Sequence, residues 1–304
     1  MNIAIVGLGS IGKRYYKNIN SFFKNYKVFD YKSKKFTKNR KIDAAIISNP
    51  SSFHIETATK FAEKNTHCLI EKPLSLNLKG IKKLQTIAKS KKLNIQIGYN
   101  LRFMKGAKFF KNQFQNQKGK IIHISIRCLT NLINWRKDKN YKKFSSAYKK
   151  LSGGILFELS HEIDYLRWIF GDVQEVFATL KNTEKLRLDI DDIAKIFLRL
   201  KSGVTADINL SLVNDFEERK CEVITKKHNY NWNLLKDEIK KDDRFIFRNN
   251  KYDINQTQLE QLKNFFNTIK KKDHPMVDLK DGIKTLKILL AIKKSSEMKK
   301  IIQL

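Results

Sequence analysis

The sequence predicts an α/β protein, with an N-terminal Rossmann-type doubly wound parallel sheet followed by a C-terminal α+β domain whose sheet is mostly antiparallel and open. Three observations carry this. The first hundred residues alternate short apolar runs of β character with helical stretches. A glycine turn, Gly7-Leu8-Gly9-Ser10-Ile11-Gly12, directly follows the first apolar run, Asn2-Ile3-Ala4-Ile5-Val6. From Lys120 onward, strand-like segments crowd around a single helix, the pattern of an antiparallel sheet.

Taken in order, strands are expected at 2–6, 27–29, 44–48, 67–70 and 94–98. Helices fall between them, for instance at 53–64 and 78–90. A strand at 121–127 alternates apolar and polar residues, and a long polar loop follows. One continuous helix is expected over 154–170. Strands at 175–180, 193–200, 204–212, 220–225 and 230–234 come next, and helices at 256–271 and 279–297 close the chain. The change of pattern sets a domain boundary at 119/120, with a Rossmann-type domain over 1–119 and an α+β domain over 120–304, whose C-terminal helix is free to pack back on the first.

The glycine turn has the spacing of a dinucleotide site. Gly7 permits the tight turn, Gly9 leaves the pyrophosphate unobstructed, and Gly12 lets helix and strand pack closely. The amides of Ser10 and Ile11 open the helix, whose N-terminus favours an anion. Asp30 closes the next apolar run, 18 residues after Gly12, where an acid accepts hydrogen bonds from ribose hydroxyls and repels a 2′-phosphate. NAD is therefore the expected cofactor, with NADP the alternative because Lys32, Lys34 and Lys35 follow closely.

At 304 residues and 41% hydrophobic content the chain can bury two cores. The formal charge of +32 raises nucleic-acid binding, but the lysines are scattered and accompany the Asn, Ile, Phe and Tyr bias of AT-rich codons. No nucleic-acid partner is expected. No apolar run reaches a membrane span, and a strand starting at residue 2 leaves no room for a signal peptide. Cys68, Cys128 and Cys221 lie far apart and form neither a zinc motif nor a disulfide framework, so no metal and a cytoplasmic location are expected.

Two segments carry candidate chemistry. Glu71-Lys72-Pro73 follows an apolar strand, and ligands of doubly wound sheets sit beyond strand carboxyl ends, which places Lys72 near the nicotinamide. Pro73 is read as a candidate cis proline that aims Lys72. The second segment is Gly153-Gly154-Ile155-Leu156-Phe157-Glu158-Leu159-Ser160-His161-Glu162-Ile163-Asp164. On one helix, Glu158, His161 and Tyr165 share a face at i, i+3 and i+7, and a carboxylate one turn from a histidine orients the ring. A histidine satisfied structurally explains the same spacing equally well.

These motifs occur together with Ser48-Asn49-Pro50-Ser51-Ser52-Phe53-His54 and Gly98-Tyr99-Asn100-Leu101-Arg102-Phe103. In this order they resemble the glucose–fructose oxidoreductase / inositol dehydrogenase / rhizopine catabolism (Gfo/Idh/MocA) family over nearly the whole chain. The resemblance implies NAD(P)-dependent dehydrogenase or reductase chemistry on CH–OH groups of sugars or related compounds. It also implies an open second sheet that forms a homodimer or homotetramer. It makes Lys72 and His161 the catalytic pair, with Glu158 in the place of the usual Asp and one residue closer to the histidine. It adds Asn49, Pro50, His54, Glu71 and Lys72 to the cofactor set, and Tyr99 and Asn100, beside Lys72 and His161, to the substrate set. Tyr15 stands where many members have His.

Asn134-Trp135-Arg136 and Tyr141 resemble members associated with surface-glycan and sialic-acid-like sugar pathways, so a nucleotide sugar or sialic-acid-like sugar is expected. Arg136 has the fork to pair with a carboxylate or phosphate, and Trp135 or Tyr141 the ring to stack on a sugar. A solvated loop is the competing reading. Arg102 is either a substrate contact or an ion-pair partner. Two rival functions share the fold: an NAD-assisted glycosidase or epimerase with no net reduction, and a non-catalytic NAD(P)-sensing regulator.

Overall fold

The computed structural model describes residues 1–31, 41–115, 120–136, 140–152 and 154–304. Residues group into two compact units, 1–100 with 255–286, and 101–254 with 287–304.

The first unit is built on a five-stranded parallel sheet of order β2-β1-β3-β4-β5. Its strands are β1 (Asn2–Val6), β2 (Lys27–Asp30), β3 (Ala44–Ile47), β4 (His67–Ile70) and β5 (Ile95–Ile97). All four residues of β3 are buried, as expected for a strand covered on both faces. Helix α1 (Ser10–Phe22) buries Gly12, Tyr15 and Ile19, a stripe at helical spacing. Tyr15 and Ile19 join Ile3, Ile5, Ala44, Ile46 and Leu69 of the sheet and Leu262, Phe265 and Phe266 of α8 (Ile254–Ile269) in one core. Helices α2 (His54–Glu63) and α3 (Ile81–Ser90) follow β3 and β4.

The second unit holds a nine-stranded sheet of order β13-β12-β11-β10-β6-β9-β8-β7-β14. The central β6 (Ile121–Asn131) and β9 (Thr205–Ser211) run parallel, while every other pair is antiparallel. The remaining strands are β7 (Val173–Lys181), β8 (Ile193–Leu200), β10 (Val213–Thr225), β11 (Asn229–Asn233), β12 (Glu238–Lys241), β13 (Arg244–Arg248) and β14 (Ile302–Gln303). Strand β8 shows why one face is open: Ala194, Ile196, Leu198 and Leu200 are buried, and Lys195, Phe197 and Arg199 between them are exposed. The covered face meets α4 (Lys105–Gln115) and, after a short α5 (Lys149–Ser152), α6 (Ile155–Glu158) and α7 (His161–Phe170). There Phe110 packs on Trp232 at 5.4 Å and Tyr165 on Trp232 at 5.5 Å between ring centroids. Helix α9 (Leu279–Met298) contributes its first part to one unit and its remainder to the other.

The fold class is as the sequence predicts. Differences have identifiable causes. The expected boundary at 119/120 contrasts with a division of the compact units after Asn100, because α4 packs with α7 through Phe110, Phe114 and Phe170. The polar loop expected after Arg127 starts later, since β6 runs to Asn131 beside β10. Strands β12 and β13, Glu-Ile-Lys-Lys and Arg-Phe-Ile-Phe-Arg, were not expected; their charges sit on a solvated hairpin whose turn holds Asp242 and Asp243 at positive φ.

The continuous helix expected over 154–170 is broken. Helix α6 ends at Glu158, Leu159 and Ser160 form a turn, and α7 begins at His161. The two halves are tethered to different parts of the unit. The amide of Ile155 donates to the Asp191 carbonyl at 3.0 Å. Glu162 and Asp164 are gripped by Arg219 of β10 and by Arg102.

Candidate active site

In the first unit the glycine turn can be tested for room. Gly7 has φ +92°, and a Cβ there would lie 2.6 Å from the Asn49 nitrogen. A Cβ on Gly12 would lie 1.9 Å from the Gly7 carbonyl oxygen and 2.8 Å from Ser48 Oγ. A Cβ on Gly9 meets nothing within 4 Å. Two glycines thus serve packing within the turn, and the third borders open space. Gly9 is the N-cap of α1 with no side-chain cap, and the first turn carries no acid, so the positive helix end is left for an anion. Ser10 is exposed and Ile11 half-buried beside it. Asp30 is the last residue of β2, in register with Ile5. The lysines at 32, 34 and 35 lie outside the described residues. Asn49, just past β3, donates through Nδ2 to Thr57 Oγ1 at 3.0 Å, while its buried Oδ1 has no partner among the described residues. Open space at Gly9, an uncapped helix and an unsatisfied amide oxygen leave room for a dinucleotide, which Gly9, Ser10, Ile11, Asp30 and Asn49 would hold on a turn shaped by Gly7 and Gly12.

The loop after β4 carries Lys72. The Lys72–Pro73 bond is cis, as the sequence reading anticipated. His54 is 1% exposed; its Nδ1 sits 2.9 Å from the Pro73 carbonyl and its Nε2 2.8 Å from the Asn49 carbonyl. Burial outweighs both carbonyls and lowers its pKa to about 4. His54 is thus buried between the loops after β3 and β4, and the neutral ring donates its one N–H to one of the two carbonyls. Pro50 precedes the 3₁₀ turn Ser51–Phe53 that leads into it. Glu71 is also committed within the protein: Oε1 accepts from the Tyr15 phenol and Oε2 from the Lys72 amide at 3.2 Å. Burial raises the Glu71 pKa. This pair, 56 residues apart, was not legible beforehand.

In the second unit His161 is the first residue of α7 and Glu158 the last of α6, both half-buried. The shared-face argument for Glu158, His161 and Tyr165 does not hold, because the three span a helix break. Tyr165 is fully buried against Trp232. The neighbours of His161 along α7 form two ion pairs. Arg219 Nε donates to Glu162 Oε1 at 2.7 Å, and Arg102 meets Asp164 with two bonds of 2.8 and 2.7 Å. Arg102 and Asp164 are 1% and 2% exposed. Arg102 is thus paired within the protein, the second of the two roles expected for it.

Tyr99 is buried, and Asn100 donates to Thr257 Oγ1 at 2.6 Å. Trp135, 38% exposed, donates from Nε1 to Thr130 Oγ1 at 2.9 Å. Tyr141 donates to the Leu186 carbonyl at 2.9 Å. The Arg136 side chain and Gly153 lie outside the described residues. Cys68, Cys128 and Cys221 are buried free thiols. Among the described residues no group of three His, Cys, Asp or Glu is placed to hold a metal, and no helix is long and apolar enough to cross a membrane.

A parallel sheet with an open glycine turn and an acid at the end of its second strand defines a nucleotide-binding protein of Rossmann type. Comparison with known proteins carries this further. Residues 22–99 match the family described as "Oxidoreductase family, NAD-binding Rossmann fold", and residues 115–230 match the "GFO/IDH/MocA C-terminal domain". The chain belongs to the GFO/IDH/MocA family of oxidoreductases; it is a dehydrogenase with NAD as cofactor. It is 26% identical over 338 residues to the myo-inositol 2-dehydrogenase of Thermotoga maritima, covering 100% of this chain and 98% of that protein. It is 26% identical to glucose-6-phosphate 3-dehydrogenase of Bacillus subtilis, over 68% of this chain and 60% of that one. The WlbA dehydrogenase of Bordetella pertussis, solved with NADH and UDP-GlcNAcA, shares the fold with a TM-score of 0.85 and 19% identity, over 99% of this chain and 97% of that one.

Proposed function

We propose that the protein catalyses hydride transfer between nicotinamide and a carbinol or carbonyl carbon of a sugar derivative, a nucleotide sugar or sialic-acid-like sugar in surface-glycan synthesis. The observation that carries this is the turn at Gly9, open to a phosphate, in the same unit as Lys72 on its cis-proline loop. NAD supplies the hydride acceptor or donor at C4 of its ring. The chain's own groups hold the sugar and move its proton. Lys72 stabilises the developing alkoxide or passes the proton itself. His161, at the start of α7, serves as the general base in the oxidation direction. Asp30 favours NAD over NADP. A sugar substrate has support from the relative named myo-inositol 2-dehydrogenase, and a nucleotide sugar from the ligand of the WlbA structure.

We further infer a homodimer or homotetramer formed through the open face of the second sheet, where Phe177 and Phe197, paired across β7 and β8, are 40% and 58% exposed. Three buried free thiols fit a reducing cytoplasm. The test is turnover of a panel of nucleotide sugars and nonulosonic acids with NAD, followed by nicotinamide absorbance. Net NADH formation that fails in Lys72→Ala and His161→Ala supports the reading. Conversion of a sugar without net NADH favours the cofactor-recycling glycosidase or epimerase instead.

A further inference from the structure

We propose that Tyr15 and Glu71 form a positioning pair that fixes the backbone of Lys72 to helix α1, so that the helix facing the nucleotide phosphates also sets the direction of the lysine. The proposal rests on the role given to Lys72 above. Every group it invokes lies within the first compact unit.

Tyr15 is fully buried in the middle of α1. Its phenol donates to Glu71 Oε1, and its oxygen in turn accepts from Gln261 Nε2 of α8 at 2.7 Å. The second carboxylate oxygen accepts the amide of Lys72 at 3.2 Å. The Tyr15 phenol of α1 and the Lys72 amide thus meet at one carboxylate, and Gln261 of α8 holds the phenol in turn. The space around the carboxylate is shaped for it. Gly98, at the end of β5, comes so close that a Cβ there would lie 3.0 Å from Oε1, and its amide is fixed to the Ile70 carbonyl at 2.7 Å. From the other side, His54 Nδ1 lies 2.9 Å from the Pro73 carbonyl. The Glu71-Lys72-Pro73 segment is thus gripped before and after the lysine, with the lysine as the residue between the two grips.

The chemistry of the donor matters. Burial raises the Tyr15 pKa well above its ordinary value, so the phenol keeps its proton and remains a donor. A phenylalanine fills the same space and cannot donate, which leaves Oε1 buried with its phenol bond lost. Lys72 then keeps its side chain and loses the rigidity of its peptide. A displacement of about 1 Å in a reacting group lowers turnover on the order of 100-fold.

The experiment compares wild type, Tyr15→Phe and Glu71→Gln in three measurements. These are hydrogen–deuterium exchange of the peptide spanning Glu71 to Leu74, NAD affinity by calorimetry, and kcat and KM on the sugar that wild type turns over. Glu71→Gln still accepts from the Tyr15 phenol and turns an N–H toward the Lys72 amide, so it releases the lysine while leaving α1 undisturbed. Both variants are expected to exchange this peptide about tenfold faster, with α1 and β4 unchanged and NAD affinity within about twofold of wild type. In both, kcat is expected to fall on the order of tenfold or more with KM little changed. Exchange and kcat within about twofold of wild type in both variants overturn the proposal. So does faster exchange spread over all of α1 and β4, which marks the pair as a general packing contact. If no sugar is turned over by wild type, the activity reading of Lys72 fails, and the exchange data still decide whether the pair holds its backbone.

Discussion

The contrast between Gly9 and Gly12 separates the fold of the nucleotide turn from its use. Gly12→Ala places a Cβ 1.9 Å from the Gly7 carbonyl oxygen, about 1 Å inside the 3.0 Å limit that real Cβ atoms respect. The obstacle is backbone, so α1 has to lift from the turn, and Tyr15 and Ile19 lose part of their contact with Ile3 and Ile5. Overpacking of this kind costs about 3 kcal/mol, a fall in Tm of roughly 10 °C for a unit of this size. Gly9→Ala meets nothing within 4 Å and Gly9 sits at φ −69°, accessible to alanine. Its cost is that of alanine for glycine at an N-cap, about 0.5–1 kcal/mol. Its methyl group nevertheless stands where the pyrophosphate approaches, so NAD affinity falls by about tenfold or more, which is 1.4 kcal/mol or above. Differential scanning calorimetry reads the first effect and titration calorimetry with NAD the second. A Gly9→Ala protein with wild-type NAD affinity, or a Gly12→Ala protein of wild-type stability, refutes the reasoning.

Three further outcomes are expected. His54 has a folded-state pKa of about 4 against about 6.5 unfolded, so its stabilising contribution is complete above pH 6.5 and is lost as pH falls through 4, about 3 kcal/mol in all; urea midpoints between pH 7 and 4 should fall less steeply in His54→Asn than in wild type. Arg102→Ala leaves Asp164 buried and unmatched and should cost about 3–5 kcal/mol, while Arg102→Met with Asp164→Leu recovers most of it; a variant that keeps its denaturation midpoint and loses only substrate affinity restores the substrate role. Asp30→Ala should weaken NAD more than NADP by calorimetry, and equal losses contradict a ribose contact at that position.

What the sequence disclosed follows from how local each signal is. The parallel strands announce themselves because burial on both faces demands unbroken apolar runs such as Ala44–Ile47. The glycine turn is readable because each glycine answers to its immediate neighbours in the chain. Helix α4 carries a helical stripe of Ala107, Phe110 and Phe114, but Gly106 in its first turn weakens the local signal; that glycine is required by Asp237, whose Oδ1 would lie 2.0 Å from a Cβ there. The break between Glu158 and His161 was not legible. It arises from partners far away in sequence, Arg102 and Arg219, which hold α7 independently of α6. The same holds for Arg102, His54 and Glu71: residue type and spacing mark them as chemically interesting, and only the tertiary partner shows that they hold the protein together.

The central claim is that this NAD-binding chain moves a hydride to or from a sugar, with Lys72 handling the alkoxide. The most direct measurement is single-turnover nicotinamide absorbance with stoichiometric NAD and the panel of nucleotide sugars and nonulosonic acids, in wild type and Lys72→Ala. The account predicts a burst of NADH for one class of sugar in wild type, and a rate lower by about 10²–10⁴ in Lys72→Ala at unchanged NAD affinity. Full NADH formation at the wild-type rate in Lys72→Ala, or no redox change with any sugar while NAD remains tightly bound, contradicts it.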